Sequence, residues 1–140
     1  MKRPFYPFSG ALAGLALAMV LPAAAETPTD FLRIFEQEAR KADLAFQGFS
    51  VERGRQSFQQ PHRNDWSCAS CHTDHPAGSG KHAKTAKVIA SLAPTTNPDR
   101  FTNAAKVEKW FRRNCNDVLG RTCTAQEKGD ALTWLTTIRK

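Results

Sequence analysis

The chain has 140 residues, and its 20 lysines and arginines outnumber its 13 aspartates and glutamates, which gives a net charge of +7 at pH 7. This length suits a single domain with a modest core. The excess of positive charge is typical of proteins that dock to acidic partners or anionic surfaces. The lysines have no aromatic residues interleaved among them, which argues against nucleic-acid binding.

The first 25 residues have the three parts of a secretory signal peptide. Lys2 and Arg3 form the charged start, residues 11–21 form an apolar core, and three alanines at 23–25 supply a cleavage site. The apolar core is shorter than the roughly 20 residues of a membrane-spanning helix. The alternative is that this segment is not cleaved and anchors the protein in the membrane. We expect cleavage after Ala25, export to the periplasm, and one mature domain over residues 26–140 without a membrane span.

Two helices are predicted in the first part of the mature chain. The first runs from about Asp30 to Phe46 and is indicated by four apolar residues at helical spacing: Phe31, Ile34, Phe35 and Leu44. The second, Val51 to Gln59, carries Gly54 and Phe58 four residues apart on one face. Because glycine inside a helix costs about 1 kcal/mol relative to alanine, we expect Gly54 to mark a close approach by the last helix.

The five residues 68–72 read Cys-Ala-Ser-Cys-His, the attachment signature of a c-type haem. Cys68 and Cys71 would each form a thioether to a vinyl group, and His72 would bind the iron as the proximal ligand. A thioredoxin-like redox pair is the first alternative, but the βαβ context of that motif is absent. The other alternative is half of a zinc site, with Cys115 and Cys123 as a widely spaced second half.

A polar, loop-rich stretch follows the motif, and three further helices are predicted after it. A short helix is expected from Lys81 to Leu92, ended by Pro94. A better patterned helix runs from about Asn103 to Cys115 and places four residues on one face, with Phe111 beside them: Asn103, Val107, Trp110 and Asn114. The last helix begins with a capping box at 124–127 and carries an apolar stripe with Trp134 at its edge: Leu132, Leu135 and Ile138.

Two cysteines remain once the motif has used the other two. In an oxidising compartment the default for Cys115 and Cys123 is a disulfide. Closing so short a loop would contribute about 2.5 kcal/mol in the chain-entropy model. Two free thiols are the alternative.

The second axial ligand of the iron is the open question. The only methionines are Met1 and Met19, and both leave with the signal peptide, so methionine ligation is excluded if cleavage occurs. The remaining candidates are Asn114, a lysine, an open position, or one of three histidines near the motif: His62, His75 and His82. Asn114 ends the apolar stripe of its helix, although an asparagine there can simply bond to backbone.

Several stretches resemble the sphaeroides haem protein family of class I-like monohaem cytochromes c. The resemblance covers about residues 48–139 and rests on residues 54–58, 100–102, 108–115, 118–124, 127–130 and 134–135. Its most specific part is Trp-Phe-x-x-Asn-Cys at 110–115 followed by a second cysteine at 123. The resemblance implies an all-α, class I cytochrome c-like fold around one covalently attached haem c.

The resemblance also implies the ligands and the function. By analogy with the family, Asn114 is the distal ligand, with Asn116 as the neighbouring alternative, and Cys115 and Cys123 form a disulfide beside the haem. The family is described as binding oxygen and nitric oxide in the reduced state and as accepting electrons from a dihaem cytochrome c. We therefore expect redox partner proteins of that kind and small gases (O2, NO, CO) as partners, and no nucleic acid.

Three functional hypotheses remain. The first is a periplasmic electron-transfer cytochrome, with ligation by His72 and Asn114 in the ferric state and release of Asn114 on reduction. The second is a haem enzyme that acts on O2 or NO, and the third is a plain electron shuttle with histidine on both faces of the haem. The sequence offers no base, nucleophile or substrate cleft, which argues against a dedicated enzyme. Trp110 and Phe111 would line the haem pocket or belong to the ordinary core.

Overall fold

The computed structural model describes residues 25–139, in which five α-helices supply most of the regular structure. Their bounds are α1 (Pro28–Ala42), α2 (Val51–Gln59), α3 (Ala69–His72), α4 (Ala104–Leu119) and α5 (Ala125–Thr137). Two short antiparallel strands, β1 (Gly80–Lys81) and β2 (Val88–Ile89), form a hairpin between α3 and α4. This arrangement confirms the expected all-α class.

The predicted signal peptide lies outside the described residues, apart from Ala25. In the part of the chain that is described, no helix is both long enough and apolar enough to span a bilayer.

Helix α5 organises the packing, because both α1 and α2 lie against it. The predicted capping box starts this helix: Thr124 Oγ1 accepts from the backbone N–H of Glu127, and the Glu127 carboxylate accepts from that of Thr124. Where α2 crosses α5, the backbone of Gly54 contacts the backbone of Asp130. The predicted close approach of Gly54 to the last helix is therefore confirmed, as are the bounds of α2.

The core has two clusters on different sides of α5. One joins α1, α4 and α5 through four buried side chains: Phe31, Phe35, Val107 and Leu132. The other lies beside the Cys-x-x-Cys-His segment and contains Phe58, Ala93, Trp134, Leu135 and Ile138, with Cys68 and Ala69 packed against it. Full burial of one large apolar side chain contributes about 1.5–3 kcal/mol, so the second cluster fixes α3 to the rest of the fold.

The first helix is shorter than predicted. It begins at Pro28 and ends at Ala42, so Leu44 lies beyond it and is fully exposed instead of joining the apolar stripe. Phe46 is buried, but it lies in the connecting loop, where its ring meets that of Phe49 edge-on at 5.2 Å.

The helix predicted from Lys81 to Leu92 is wrong, because that segment forms the hairpin. In a helix Lys81 would share a face with Val88 and Leu92, seven and eleven residues later, so that face would not be continuously apolar. The segment is held by contacts instead: β1 begins at the buried Gly80, and His82 N–H donates to Lys87 O across the turn at 2.8 Å.

Helix α4 begins where the pattern predicts and ends one turn later. Asn103 is its N-cap, and the Asn103 side chain accepts from Lys106 N–H at 2.9 Å. The helix continues past Cys115 to Leu119 because Val118 is buried, and Gly120 then adopts the left-handed conformation at φ 73° that ends many helices.

Candidate haem site

The segment 68–72 folds as a single helical turn. Cys68 is its N-cap, and the N–H groups of Cys71 and His72 both donate to Cys68 O. Ser67 and Ser70 support the turn, because each hydroxyl accepts from the other residue's backbone N–H at 3.1 and 3.0 Å. The two thiols, three residues apart, lie on one side of the turn, and both cysteines are half-buried and unpaired.

His72 is the last residue of this turn, and aromatic rings flank it. The ring centroid of Phe58 lies 6.2 Å from that of His72, and the ring of Trp134 lies 4.7 Å behind Phe58. Burial and, to a smaller extent, the nearby charge of Arg100 together lower the pKa of His72 to about 4. The imidazole is therefore neutral at pH 7, which is the form that binds a metal.

Burial has the opposite effect on the first thiol, since it raises the pKa of Cys68 to about 11. Cys68 is thus a protonated thiol beside an apolar cluster, and it is not an activated thiolate of a redox pair. Two unpaired thiols, an adjacent neutral imidazole and an apolar wall match the donor set of a covalently held haem. The residues present fit that group.

Arg100 places a fixed cation near His72. Its Nε donates to Ser91 O at 3.0 Å and its Nη2 donates to Ala90 O at 2.9 Å. Partial burial lowers the pKa of Arg100, but a guanidinium remains charged in proteins. Asn97 Nδ2 donates to the same Ser91 carbonyl at 3.0 Å, so this loop is held rigidly around the charge. The sequence alone indicates no role for Arg100 beyond its match to the family pattern.

The hairpin is anchored on the attachment turn. Gly80 is buried, and a Cβ at this position would collide with the carbonyl oxygen of Cys71. Ala83 N–H donates to Cys71 Sγ at 3.4 Å. Any group bound to the Cys71 sulfur is therefore next to the hairpin.

Asn114 lies near the end of α4 and is half-buried at the border of the inner face, to which Phe111 and Val118 belong. Among residues 25–139, no hydrogen bond joins its side chain to another residue. Asn116, the alternative, is exposed.

A disulfide follows Asn114 directly. The structure joins Cys115 to Cys123 with a Cα–Cα distance of 5.6 Å, which links the last turn of α4 to the residue before the N-cap of α5. This bond overturns the zinc alternative, since Cys115 and Cys123 are not free to bind metal. Within residues 25–139, no three His, Cys, Asp or Glu side chains form a metal-binding group.

Aromatic contacts connect α4 to the attachment turn. Phe101 packs against the cluster that contains Cys68 and Ala69, and its ring centroid lies 6.4 Å from that of Phe111. Phe111 also meets Phe35 edge-on at 5.7 Å, so it belongs to the ordinary core. Asn114 is one turn further along the helix from Phe111.

Trp110 does not share the buried stripe that the sequence predicts. Its side chain is 43% exposed, and the cations of Lys109 and Arg113 lie 5.5 and 5.6 Å from its ring. Four other positions on α4 face the core instead: Val107, Phe111, Cys115 and Val118. Trp110 and Asn114 therefore share the border of the inner face.

Two of the three candidate histidines are engaged locally. His62 Nε2 lies 2.8 Å from Ser57 O, and His82 Nδ1 accepts from Thr85 N–H at 3.3 Å. His75 is exposed in the loop after α3. None of the three lies on α4.

Comparison with known proteins finds relatives that are cytochromes, in agreement with the haem-attachment motif. Residues 44–135 match the family model described as Domain of unknown function (DUF1924). The chain is 40% identical over 131 residues to the cytochrome c-type protein SHP of Cereibacter sphaeroides, covering 94% of this chain and 95% of the relative.

Two solved structures are similar over 81% of this chain. One is oxidized SHP, described as an oxygen binding cytochrome c, with a TM-score of 0.71, 38% identity and 98% of its chain covered. The other is the solution structure of cytochrome c'' from Methylophilus methylotrophus, which is described as giving insights into haem-ligand detachment. It has a TM-score of 0.72, 34% identity and 94% of its chain covered.

Proposed function

Because the chain belongs to the family of c-type cytochromes that includes SHP and cytochrome c'', we propose that it is an electron-transfer cytochrome whose sixth ligand detaches on reduction. Its cofactor is one covalently attached haem c. When bound, haem c supplies a one-electron ferric/ferrous couple and, with one axial position open, a site for O2, NO or CO.

Three residues of the attachment turn would hold the group. Cys68 and Cys71 provide the sulfurs for the two thioether bonds, and His72 provides the proximal nitrogen. Phe58 and the apolar cluster behind it keep water from one side of His72. A neutral, desolvated imidazole is ready to bind without first losing a proton, which agrees with its lowered pKa.

Asn114 would provide the distal ligand, and its position carries the proposal. The residue is half-buried, it has no side-chain partner among the described residues, and it directly precedes the disulfide. An amide oxygen is a hard, neutral donor that suits ferric iron better than ferrous iron. Asn114 is therefore expected to leave the sixth position on reduction, and the disulfide would keep the helix end in place while the side chain moves.

The disulfide also supports the proposed compartment. Such bonds persist in the bacterial periplasm and are rare in the cytosol. We place the mature domain, residues 26–140, in the periplasm after removal of residues 1–25.

The alternatives have less support. A shuttle with two histidine ligands needs His62, His75 or His82, of which two are held by local hydrogen bonds. An enzyme that reduces O2 would need groups that deliver protons at the open position, and Asn114 cannot do so.

Absorption spectra of the oxidised and reduced holoprotein, with and without carbon monoxide, test the proposal. We expect a high-spin reduced spectrum that carbon monoxide changes. A low-spin reduced spectrum that carbon monoxide leaves unchanged would contradict detachment and favour two histidine ligands. Sustained consumption of nitric oxide with oxygen and a reductant would favour the enzyme instead.

A further inference from the structure

The hairpin region carries positive charge without compensation. Residues 75–98 contain three lysines and no aspartate or glutamate. Lys81, Lys84 and Lys87 are all exposed, and none of them forms an ion pair with a carboxylate among residues 25–139. On the helices, Arg33, Arg40 and Arg55 are by contrast each paired with a carboxylate of their own helix.

This charge is held next to the attachment turn. The buried Gly80 lies against the Cys71 carbonyl, and Ala83 N–H donates to the Cys71 sulfur. At the turn of the hairpin, the Lys84 ammonium lies 5.1 Å from the centroid of the Trp66 ring. Trp66 is two residues before Cys68 in the chain. The lysines are therefore fixed with respect to the point where the haem is attached.

An apolar residue completes the surface. Val88 pairs with Lys81 across the hairpin and is 75% exposed. Protein interfaces typically combine an apolar centre with a polar rim, and here the exposed valine lies opposite Lys81 and next to Lys87 in the chain. We call this surface, formed by Lys81, Lys84, Lys87 and Val88, the basic hairpin.

We propose that the basic hairpin is the docking surface for an acidic redox protein, which exchanges electrons with the haem at the Cys71 edge. The proposal rests on the proposed function, because it needs haem at Cys71. Acidic groups on the partner would meet the lysines, and a small apolar contact would form at Val88. Charge complementarity of this kind raises the association rate more than the affinity.

An anionic membrane is the other surface that lysines could bind. Polybasic membrane segments usually carry four to eight lysines or arginines, each contributing about 1 kcal/mol near the surface. The basic hairpin has three, and Val88 alone offers no apolar face comparable to that of an interfacial helix. The structure therefore favours a protein partner.

The experiment compares two triple variants of the haem-loaded full chain. K81E/K84E/K87E reverses the charges of the basic hairpin. The control, K41E/K106E/R139E, changes the net charge equally at exposed positions of α1, α4 and the C-terminal segment. The anaerobically reduced proteins are mixed in a stopped-flow instrument with three oxidants: anionic hexacyanoferrate(III), cationic tris(phenanthroline)cobalt(III) and the acidic copper protein plastocyanin.

We expect the hairpin variant to react at least about tenfold more slowly with the anion and with plastocyanin at about 0.01 M ionic strength. Its reaction with the cobalt cation should accelerate. Both effects should shrink at about 0.1 M salt, where the Debye length falls to about 10 Å. The control should change each rate by less than about threefold, because its charges lie on other faces.

Equal effects of the two triple variants would overturn the proposal, since net charge alone would then explain the rates. Binding of the wild type to phosphatidylserine vesicles that the hairpin variant loses, with unchanged plastocyanin rates, would overturn it in favour of a membrane. Failure of the proposed function is distinguishable: a wild-type chain without a reducible haem spectrum would contradict haem attachment itself.

Discussion

Gly54 in α2 touches Asp130 in α5 so closely that a Cβ on Gly54 would lie 2.6 Å from the Asp130 carbonyl carbon and would collide with its oxygen. The same aspartate fixes the crossing through its side chain. Asp130 is 5% exposed, and its carboxylate accepts from Arg53 Nε at 2.8 Å and from Ser50 N–H at 2.6 Å. The crossing of α2 and α5 thus combines a close backbone contact with an ion pair between the buried Asp130 carboxylate and the half-exposed Arg53 side chain.

Replacing Gly54 with alanine is expected to destabilise the holoprotein by about 1–3 kcal/mol. The steric cost of the added methyl group exceeds the gain of up to about 1 kcal/mol in helix propensity. Denaturant unfolding followed by circular dichroism measures the difference. Gly78→Ala is the control, because its Cβ would meet nothing nearer than His75 O at 3.9 Å. Equal stability of the two variants would contradict the packing argument.

A second stability prediction concerns Glu127. The hydrogen bond from Arg121 is the main cause of its lowered pKa, and the N–H of Thr124 contributes as well. A carboxylate with a lowered pKa stabilises the fold above its unfolded pKa, and this contribution disappears as the pH falls through the folded pKa. Glu127→Gln should therefore cost about 1 kcal/mol at pH 7. The cost should start to fall near the unfolded glutamate pKa of about 4.3 and vanish once the pH is below the lowered folded pKa.

The matched control is Glu38→Gln, at an exposed position of α1. Urea unfolding of both variants at several pH values makes the comparison. A cost for Glu127→Gln that stays constant down to pH 3 would show that the capping interaction does not depend on the charge.

The sequence correctly predicted those helices and caps that depend on residues close together in the chain. The bounds of α2 follow from the spacing of Gly54 and Phe58 along the chain, and the capping box of α5 follows from the Thr124–Glu127 pair, which acts within one helix. The hairpin was missed because its strands have two residues each, too few for a periodic signal, and because the contact of Gly80 with Cys71 is a tertiary one.

The candidate site was predictable to a similar extent. Spacing alone identifies Cys68, Cys71 and His72, since the chemistry requires them to be adjacent. Asn114 was selected by family resemblance, because no periodicity shows which side chain reaches a bound group. Trp110 was placed on the buried stripe, but the structure turns α4 so that Phe111 and Cys115 face the core. Arg100 is held in place by hydrogen bonds to backbone carbonyls of a loop, and no sequence pattern predicts these bonds.

Arg100 is expected to favour the reduced state, because its cation lies near His72 and opposes the additional positive charge of ferric iron. Arg100→Gln should shift the equilibrium towards the oxidised form by a few-fold to about tenfold, where tenfold corresponds to 59 mV for one electron. Arg100→Lys keeps the charge but loses the two-carbonyl geometry. Spectroelectrochemical titration should therefore find a smaller shift for lysine, and equal shifts would contradict the electrostatic explanation.

Removing the disulfide with Cys115→Ser and Cys123→Ser should cost about 2.5 kcal/mol of stability. It should also loosen the helix end that carries Asn114, since the bond joins α4 to the start of α5. We expect a mixture of ferric spin states in the double variant, visible by electron paramagnetic resonance. A homogeneous, unchanged ferric spectrum would show that the disulfide stabilises the fold without positioning Asn114.

Asn114→Ala tests the distal ligand directly. The variant should keep its haem, because Cys68, Cys71 and His72 are intact, but its ferric form should become five-coordinate or bind water. The reduced spectrum should change little, since Asn114 is expected to have left already in that state. Asn116→Ala is the matched control, two residues away and exposed. Ferric absorption spectra of the two variants decide the assignment. If the spectrum changes in the Asn116 variant and not in the Asn114 variant, Asn116 is the ligand. If it changes in neither variant, neither asparagine binds the iron.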